Sequence, residues 1–249
     1  MFGIAALMAG CKTEEEVKET SQPFNYVVDH FADVEVMRYQ VDNWDSLSLN
    51  QKKLVYYLSE AALCGRDIIF DQNCAYNILI KNALEAIVDT YSGDKSTQDW
   101  EKFMEYVKRF WFSNGIRHHY SYAKFYPEVS KEYILSLLNN SDKNKIFAGD
   151  PFQQNVVMDL VANIILDTTK VTLKVCQDPN VDMVQNSAVN FYRNVTQKEV
   201  EEYYDYYRES LGKAYDPEKP ISLGLNSQLV KDLDVNKVYE RVYLSLIHI

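Results

Sequence analysis

The chain has 249 residues, of which 47% are hydrophobic, and a formal net charge of −10. This length allows one large domain or two small ones. The acidity argues against nucleic-acid binding, because phosphate contacts need a basic face. With only 8 glycines and 6 prolines, the sequence favours long helices over a β fold with many turns.

The first eleven residues are typical of the end of a bacterial lipoprotein signal. An apolar run over residues 2–9 precedes Gly10 and Cys11, and in such signals the cysteine becomes acylated and N-terminal. The basic start of a secretory signal is missing, which indicates a start codon called late or a lost 5′ end. Residues 12–23 form an acidic tether. We predict a lipid anchor at Cys11, with a buried N-terminal helix as the alternative.

The next segments predict a predominantly helical α+β domain. Residues 24–38 alternate imperfectly and predict either a strand or an irregular docking segment. Ser48 is a plausible N-cap for a first helix, and a second helix fits residues 74–91. The first helix carries an apolar stripe at helical spacing, formed by Leu54, Tyr57, Leu58 and Ala61.

A third helix is predicted from about Thr97 to the Asn114-Gly115 pair, which stops it. A short helix follows over residues 130–138. The apolar face of the third helix consists of Trp100, Phe103, Met104, Val107, Phe110 and Trp111.

The second half of the chain continues the α+β pattern. Asp150-Pro151 predicts the start of another helix. Residues 171–176 (VTLKVC) alternate and are β-branched, which predicts a strand. Thr196 and Glu199 form a capping box for a tyrosine-rich helix, whose rings we expect mainly in the core. Residues 221–230 predict a strand and a turn.

The four cysteines do not form a CxxC pair, so the sequence gives no support for a zinc knuckle or a thioredoxin-type site. Cys64 and Cys74 flank a predicted helix-to-helix turn. They form a disulfide or, like Cys176, serve as small buried hydrophobic side chains.

Common catalytic motifs are absent from the sequence. It has no phosphate-binding glycine loop, no GxSxG elbow and no HExxH helix. His118 and His119 are adjacent, so they point to opposite faces of a strand or about 100° apart on a helix. Two such neighbours seldom bind one metal ion, and we predict no metal site here.

The last six residues, 244–249 (LSLIHI), match the translation of a transposon end used in preparing sequencing libraries. We predict that they are adapter read-through and that the natural protein continues past Tyr243. His248 then has no functional weight. The alternative is a short natural apolar C-terminus.

Three segments, residues 31–77, 108–127 and 224–231, resemble dipeptidyl peptidase III of the Bacteroidetes type. The resemblance covers residues 24–243. It implies a zinc-dependent exopeptidase that releases dipeptides from the amino end of short peptides, with two lobes around a cleft. In that family an HExxGH-type helix and a later glutamate hold zinc in the upper lobe, and neither motif occurs here.

The resemblance therefore implies that the chain is an incomplete lower lobe without the catalytic lobe. We expect it to have no catalytic residues, to bind no zinc itself and to be inactive alone. Apolar surface that would meet the missing parts is expected to be exposed.

The resemblance also implies a role for the loop that follows the third helix. In the family, the matching loop lies on the cleft wall, and an aromatic residue that contacts the peptide aligns with Tyr120. Arg117 and Ala123 depart from the family pattern. The predicted peptide-binding residues are Asn114, Gly115, His118, His119 and Tyr120. The alternative is that these side chains only pack the loop.

The sequence thus leaves two classes of function open. The first is the N-terminal part of a zinc dipeptidyl-peptidase, with short peptides and the missing lobe as partners. The second is a non-enzymatic, lipid-anchored lipoprotein with a peptide-binding or structural role. Either protein would be anchored in the cell envelope, in the periplasm or at the outer membrane, and only through its lipid.

Overall fold

A computed structural model describes residues 24–146, 154–169, 173–212 and 227–243. Several predictions fall outside these ranges: the lipidated Cys11, the tether, the Asp150-Pro151 helix start and residues 244–249. Over the described residues the fold is mixed α+β, with about half of the residues in helices. None of the helices described has both the length and the apolar character of a membrane span.

Eight α-helices, one short 3-10 helix (Trp44–Ser46) and five strands are found in the described residues. The helices are α1 (Leu49–Cys64), α2 (Arg66–Asn73), α3 (Asn77–Thr90), α4 (Gln98–Ser113), α5 (Lys131–Asn139), α6 (Lys143–Ile146), α7 (Gln154–Leu166) and α8 (Gln197–Leu211). The strands are β1 (Val27–Phe31), β2 (Val34–Met37), β3 (Tyr192–Arg193), β4 (Ser227–Asp232) and β5 (Lys237–Val242).

The strands form two separate sheets. β1 and β2 make an antiparallel hairpin, so the predicted strand over residues 24–38 is confirmed as two short strands. In the other sheet β4 is central, with β3 parallel on one side and β5 antiparallel on the other. β4 also confirms the strand predicted within residues 221–230, of which residues 221–226 lie outside the described ranges.

Side-chain caps fix most of the predicted helix starts. Ser48 and Gln51 form a capping box at α1. Thr97 caps α4 and Ser130 caps α5 through the backbone N–H three residues on. Thr196 and Glu199 form the predicted box at α8. Each cap satisfies backbone N–H groups that have no partner inside the helix.

The strand predicted over residues 171–176 is wrong for its described part. Residues 173–176 form an irregular, bent segment. The backbone N–H of Ala188 bonds the carbonyls of Leu173 and Lys174, and the N–H of Cys176 bonds the Ser187 hydroxyl. The backbone polar groups of residues 173–176 therefore bond to residues 187 and 188 in a turn, and not to a neighbouring strand as the alternating pattern predicted.

The turn predicted between Cys64 and Cys74 is also wrong, because the short helix α2 fills this stretch. Cys64 is exposed, whereas Cys74 and Cys176 are buried, and all three are free thiols. Only the two buried cysteines match the prediction of small core side chains.

The main hydrophobic core lies between α2, α3, α4, α5 and α7. The predicted face of α4 supplies its centre, with four buried side chains: Trp100, Phe103, Val107 and Phe110. A smaller cluster joins α8 to the second sheet through Val195, Val200 and Leu229. Tyr203 and Tyr204 pack against this cluster, whereas Tyr206 and Tyr207 are exposed.

Polar side chains connect the two clusters. The side-chain amide of Gln72, near the end of α2, donates to the backbone carbonyl of Ser227. The backbone carbonyl of Gln72 accepts from Asn190 N. Asp71 accepts from the Asn190 amide at 3.2 Å and from the Tyr243 hydroxyl at 2.5 Å. The C-terminal sheet is therefore tied to α2.

α1 differs from the other long helices because none of its residues is buried. The predicted apolar stripe exists, but it faces solvent. The large apolar side chains exposed along this helix are Leu49, Leu54, Val55, Tyr56, Tyr57, Leu58 and Leu63. α1 therefore carries much of the exposed apolar surface of the described residues.

Alanine substitution of a core leucine and of an α1 leucine should show that only the core leucine contributes strongly to stability. Leu84 is 1% exposed and Leu58 is 60% exposed. We expect Leu84→Ala to lower the free energy of unfolding by about 2–5 kcal/mol and Leu58→Ala by no more than about 0.5 kcal/mol. Urea unfolding of both variants measures this. An equally large loss for Leu58→Ala would show that α1 is covered in solution.

Glu199 should give α8 a pH-dependent contribution to stability. Its carboxylate accepts from Lys231 Nζ at 2.6 Å and from Thr196 N at 2.9 Å, and mainly the Lys231 bond holds the pKa of Glu199 below its ordinary value. A carboxylate with a lowered folded-state pKa stabilises the fold above its unfolded-state pKa, and this stability is lost as the pH falls through the folded-state value.

The matched test is Glu199→Gln, which keeps a capping acceptor but removes the charge. We expect it to cost about 1 kcal/mol near neutral pH, with the difference from wild type beginning to shrink only as the pH falls below about 4. Urea unfolding across this pH range measures the effect. Glu202→Gln, on the same helix but in an exposed pair with Lys198, is the control. A Glu199→Gln difference that stays constant with pH would contradict the assignment.

Candidate functional site

The Asn114-Gly115 turn at the end of α4 is held by buried amides. Asn114 has a left-handed backbone with φ of 52°, and Gly115 has φ of 138°. The Asn77 side chain donates to the Asn114 carbonyl at 3.4 Å and accepts from Ile116 N at 3.4 Å. A Cβ on Gly115 would collide with that amide. Glycine is therefore required here for conformation and for close approach.

Beyond the turn, the chain folds back as a short irregular hairpin. His118 N donates to the Ala123 carbonyl at 2.8 Å, and Phe125 N donates to the Ile116 carbonyl at 3.3 Å. Ile116 and Phe125 are buried in the main core. We call residues 118–123, at the tip of this hairpin, the histidine loop. Its base is rigid because both strands of the hairpin enter the core.

His118 fastens the histidine loop on two sides. Its Nδ1 accepts from Tyr120 N at 3.2 Å and from Ser121 N at 3.1 Å. Its Nε2 lies 3.0 Å from Asp33 Oδ2, in the turn between β1 and β2. Because Nδ1 is an acceptor, these contacts assign the proton to Nε2, which donates to Asp33.

Asp33 joins the β1–β2 hairpin to both α4 and the histidine loop. Its other oxygen lies 3.6 Å from Arg109 Nη2. Its own backbone N–H, followed by the charge of Arg109 and the hydrogen bond from His118, holds the pKa of Asp33 below the ordinary value. A second contact, between Lys108 and Asp29 at 2.7 Å, fixes the same hairpin to α4. The carboxylate form of Asp33 is therefore favoured at neutral pH.

His119 and Tyr120 form an aromatic surface with Phe112. The ring of His119 lies 4.9 Å from that of Phe112 and 4.4 Å from that of Tyr120. Burial is the main cause that lowers the pKa of His119, which favours its neutral form. Tyr120 is 83% exposed, and its hydroxyl has no hydrogen-bond partner among the described residues. This surface offers flat contact area and polar groups to a ligand.

The five predicted site residues thus divide into two groups. Asn114 and Gly115 shape the turn, and Gly115 is buried. His118 positions the loop. His119 is half-buried, and its enclosed Nδ1 has no hydrogen-bond partner among the described residues, whereas Tyr120 faces outward. A small cleft nevertheless brings Asn114, Gly115 and His119 together. In the part of the chain that the structure describes, no three His, Cys, Asp or Glu side chains form a group able to hold a metal ion.

Sequence reasoning missed three side chains at this site. Asp33 is distant in sequence from the loop that it contacts, whereas Phe112 lies near the end of α4, a few residues before the loop. Lys174 lines the small cleft and places its Nζ 4.2 Å from the ring centre of Tyr122. Its place within VTLKVC predicted only a strand residue. No local signal identified Asp33 or Lys174, because long-range folding brings them to the loop.

Neither the known protein-family models nor the curated proteins match this chain.

His118 should control the order of the histidine loop. We expect His118→Ala to raise the hydrogen-exchange rates of the Tyr120 and Ser121 amides at least about tenfold, because both lose their acceptor. Exchange measured by NMR tests this. His30→Ala is the control, since the His30 side chain is exposed and makes no such contact. Unchanged exchange at residues 120 and 121 would contradict the assigned acceptor.

Proposed function

We propose that this chain is the N-terminal, substrate-gripping part of a dipeptidyl peptidase of type III, and that the histidine loop contacts the bound peptide. The proposal rests on the resemblance of residues 31–77, 108–127 and 224–231 to that family. In this proposal residues 24–243 belong to the lower lobe of a two-lobed metallopeptidase. Cys11 anchors the protein by lipid in the cell envelope.

The observation that carries the binding role is the exposure of Tyr120 on a rigid support. Its ring is 83% exposed and lies against His119, while two hydrogen bonds to His118 Nδ1 hold the backbone at Tyr120 and Ser121. An aromatic side chain on a preorganised loop loses little conformational entropy when it binds, so its contact area contributes more fully to affinity.

This chain's own residues would bind and orient the peptide. Tyr120 and His119 offer ring faces to peptide side chains, and the Tyr120 hydroxyl offers a hydrogen bond to the peptide backbone. Zinc would polarise the scissile carbonyl in an enzyme of this family. The described residues do not fit zinc, because His118 uses Nδ1 for the loop and Nε2 for Asp33.

Peptide binding tests the proposal directly. We expect the full chain to bind members of a mixed-sequence tetrapeptide panel, and Tyr120→Ala to weaken binding about tenfold or more. Isothermal titration calorimetry measures both. Tyr206→Ala is the control, since Tyr206 is 70% exposed on α8. If peptides bind but both variants bind them alike, the histidine loop does not contact the peptide. If no peptide binds, the loop serves packing and the structural lipoprotein is the better interpretation.

We also expect no dipeptide release by this chain, with or without added zinc, because its sequence has no HExxGH motif. Mass spectrometry of the same tetrapeptides after incubation checks this. Zinc-dependent release would overturn the assignment of the chain as a gripping part only.

A further inference from the structure

A half-buried lysine without a counter-ion lies beside the candidate site. Lys174 follows α7, and its ammonium makes no hydrogen bond or ion pair with any residue that the structure describes. The ammonium makes a cation–π contact with the ring of Tyr122, with 4.2 Å between Nζ and the ring centre. Burial of a charge without a partner is unfavourable. Such a group is therefore a candidate to bind an anion.

Two further cations lie close to Lys174. Arg117 is buried. Its backbone forms an antiparallel β-bridge with that of Lys124 across the small hairpin. Lys124 Nζ donates to the carbonyls of Ile164 and Asp167, both at 2.5 Å. Burial is the main cause of the lowered pKa of both lysines, and the charge of Arg117 lowers each further. This positive cluster stands out in a chain with a net charge of −10.

The three cations have different roles. Lys124 donates its hydrogen bonds to carbonyls at the C-terminal end of α7, which have no partner within the helix. Arg117 is enclosed within the hairpin. Neither is as free to move toward a ligand as Lys174, so they contribute mainly their positive field. Lys174 keeps all of its N–H donors available with respect to the described residues.

Lys174 also lies where two depressions meet. It lines the small cleft together with Asn114 and His119. It also lines an open hollow of about 560 Å³ with Tyr122 and Lys124. A ligand that crosses the aromatic surface can therefore place one end near this ammonium.

We propose that Lys174 binds a carboxylate of the peptide that lies across His119 and Tyr120, with Arg117 and Lys124 strengthening the positive field. This inference rests on the proposed peptide-binding function. The carboxylate is the C-terminal group of the peptide or an acidic side chain. A charge-assisted hydrogen bond to a half-buried ammonium is stronger than a neutral one. The same field repels a free amine, so the amino end of the peptide lies away from Lys174.

The test compares matched peptides on matched variants. Each tetrapeptide that binds is prepared as a free acid and as a C-terminal amide, and a third form combines the amide with an internal glutamate. Titration calorimetry gives the dissociation constants for the wild type, for Lys174→Met, and for Lys198→Met as an exposed control. Thermal unfolding of each variant confirms that it is folded.

We expect wild type and Lys198→Met to bind the free acid about tenfold more tightly than the amide, and Lys174→Met to bind both forms equally. If only the glutamate form regains affinity over the plain amide, the carboxylate comes from a side chain. Equal binding of all forms by the wild type overturns this inference alone. A preference that survives Lys174→Met also overturns it. Absence of binding to any peptide overturns this inference together with the proposed function.

Discussion

The buried amide of Asn77 holds together the parts of the molecule on which the candidate site depends. Its nitrogen donates to the carbonyl of Phe70 in α2 and to that of Asn114 after α4, and its oxygen accepts from Ile116 N. The first residue of α3 thus joins two other helices and the following hairpin. Gly115 is needed because any side chain there would occupy the position of this amide.

The direction of the histidine loop follows from this junction. Once Ile116 is fixed in the core, the chain reverses and returns to the core at Phe125. His118 then faces the β1–β2 turn and reaches Asp33. Tyr120 is left facing outward. The most exposed ring at the site therefore stands on a support that involves α3, α4 and the hairpin.

Charge is distributed unevenly around this support. Asp29 and Asp33 meet Lys108 and Arg109 on the hairpin side, where carboxylates and cations pair. On the other side, Arg117, Lys124 and Lys174 crowd together. The overall acidity of the chain gave no sign of this positive side, because net charge sums over residues that the fold separates.

Local sequence determined the helices with strong start and stop signals. Ser48 and Thr196 cap helices as predicted, and Thr97 and Ser130 cap two helices whose starts were predicted there, since an N-cap bonds N–H groups only a few residues away. The apolar face of α4 was predictable for the same reason. Asn114-Gly115 also marked a turn from its residue types alone.

Tertiary structure decided what local patterns leave open. The alternating residues 173–176 did not form a strand, because strand formation needs a neighbouring strand that the pattern cannot specify. The α1 stripe was correct as a helix but is not buried, since periodicity shows which residues share a face and not what covers it. Asp33 and Lys174 joined the candidate site through contacts between residues distant in sequence, and only folding brings such residues together.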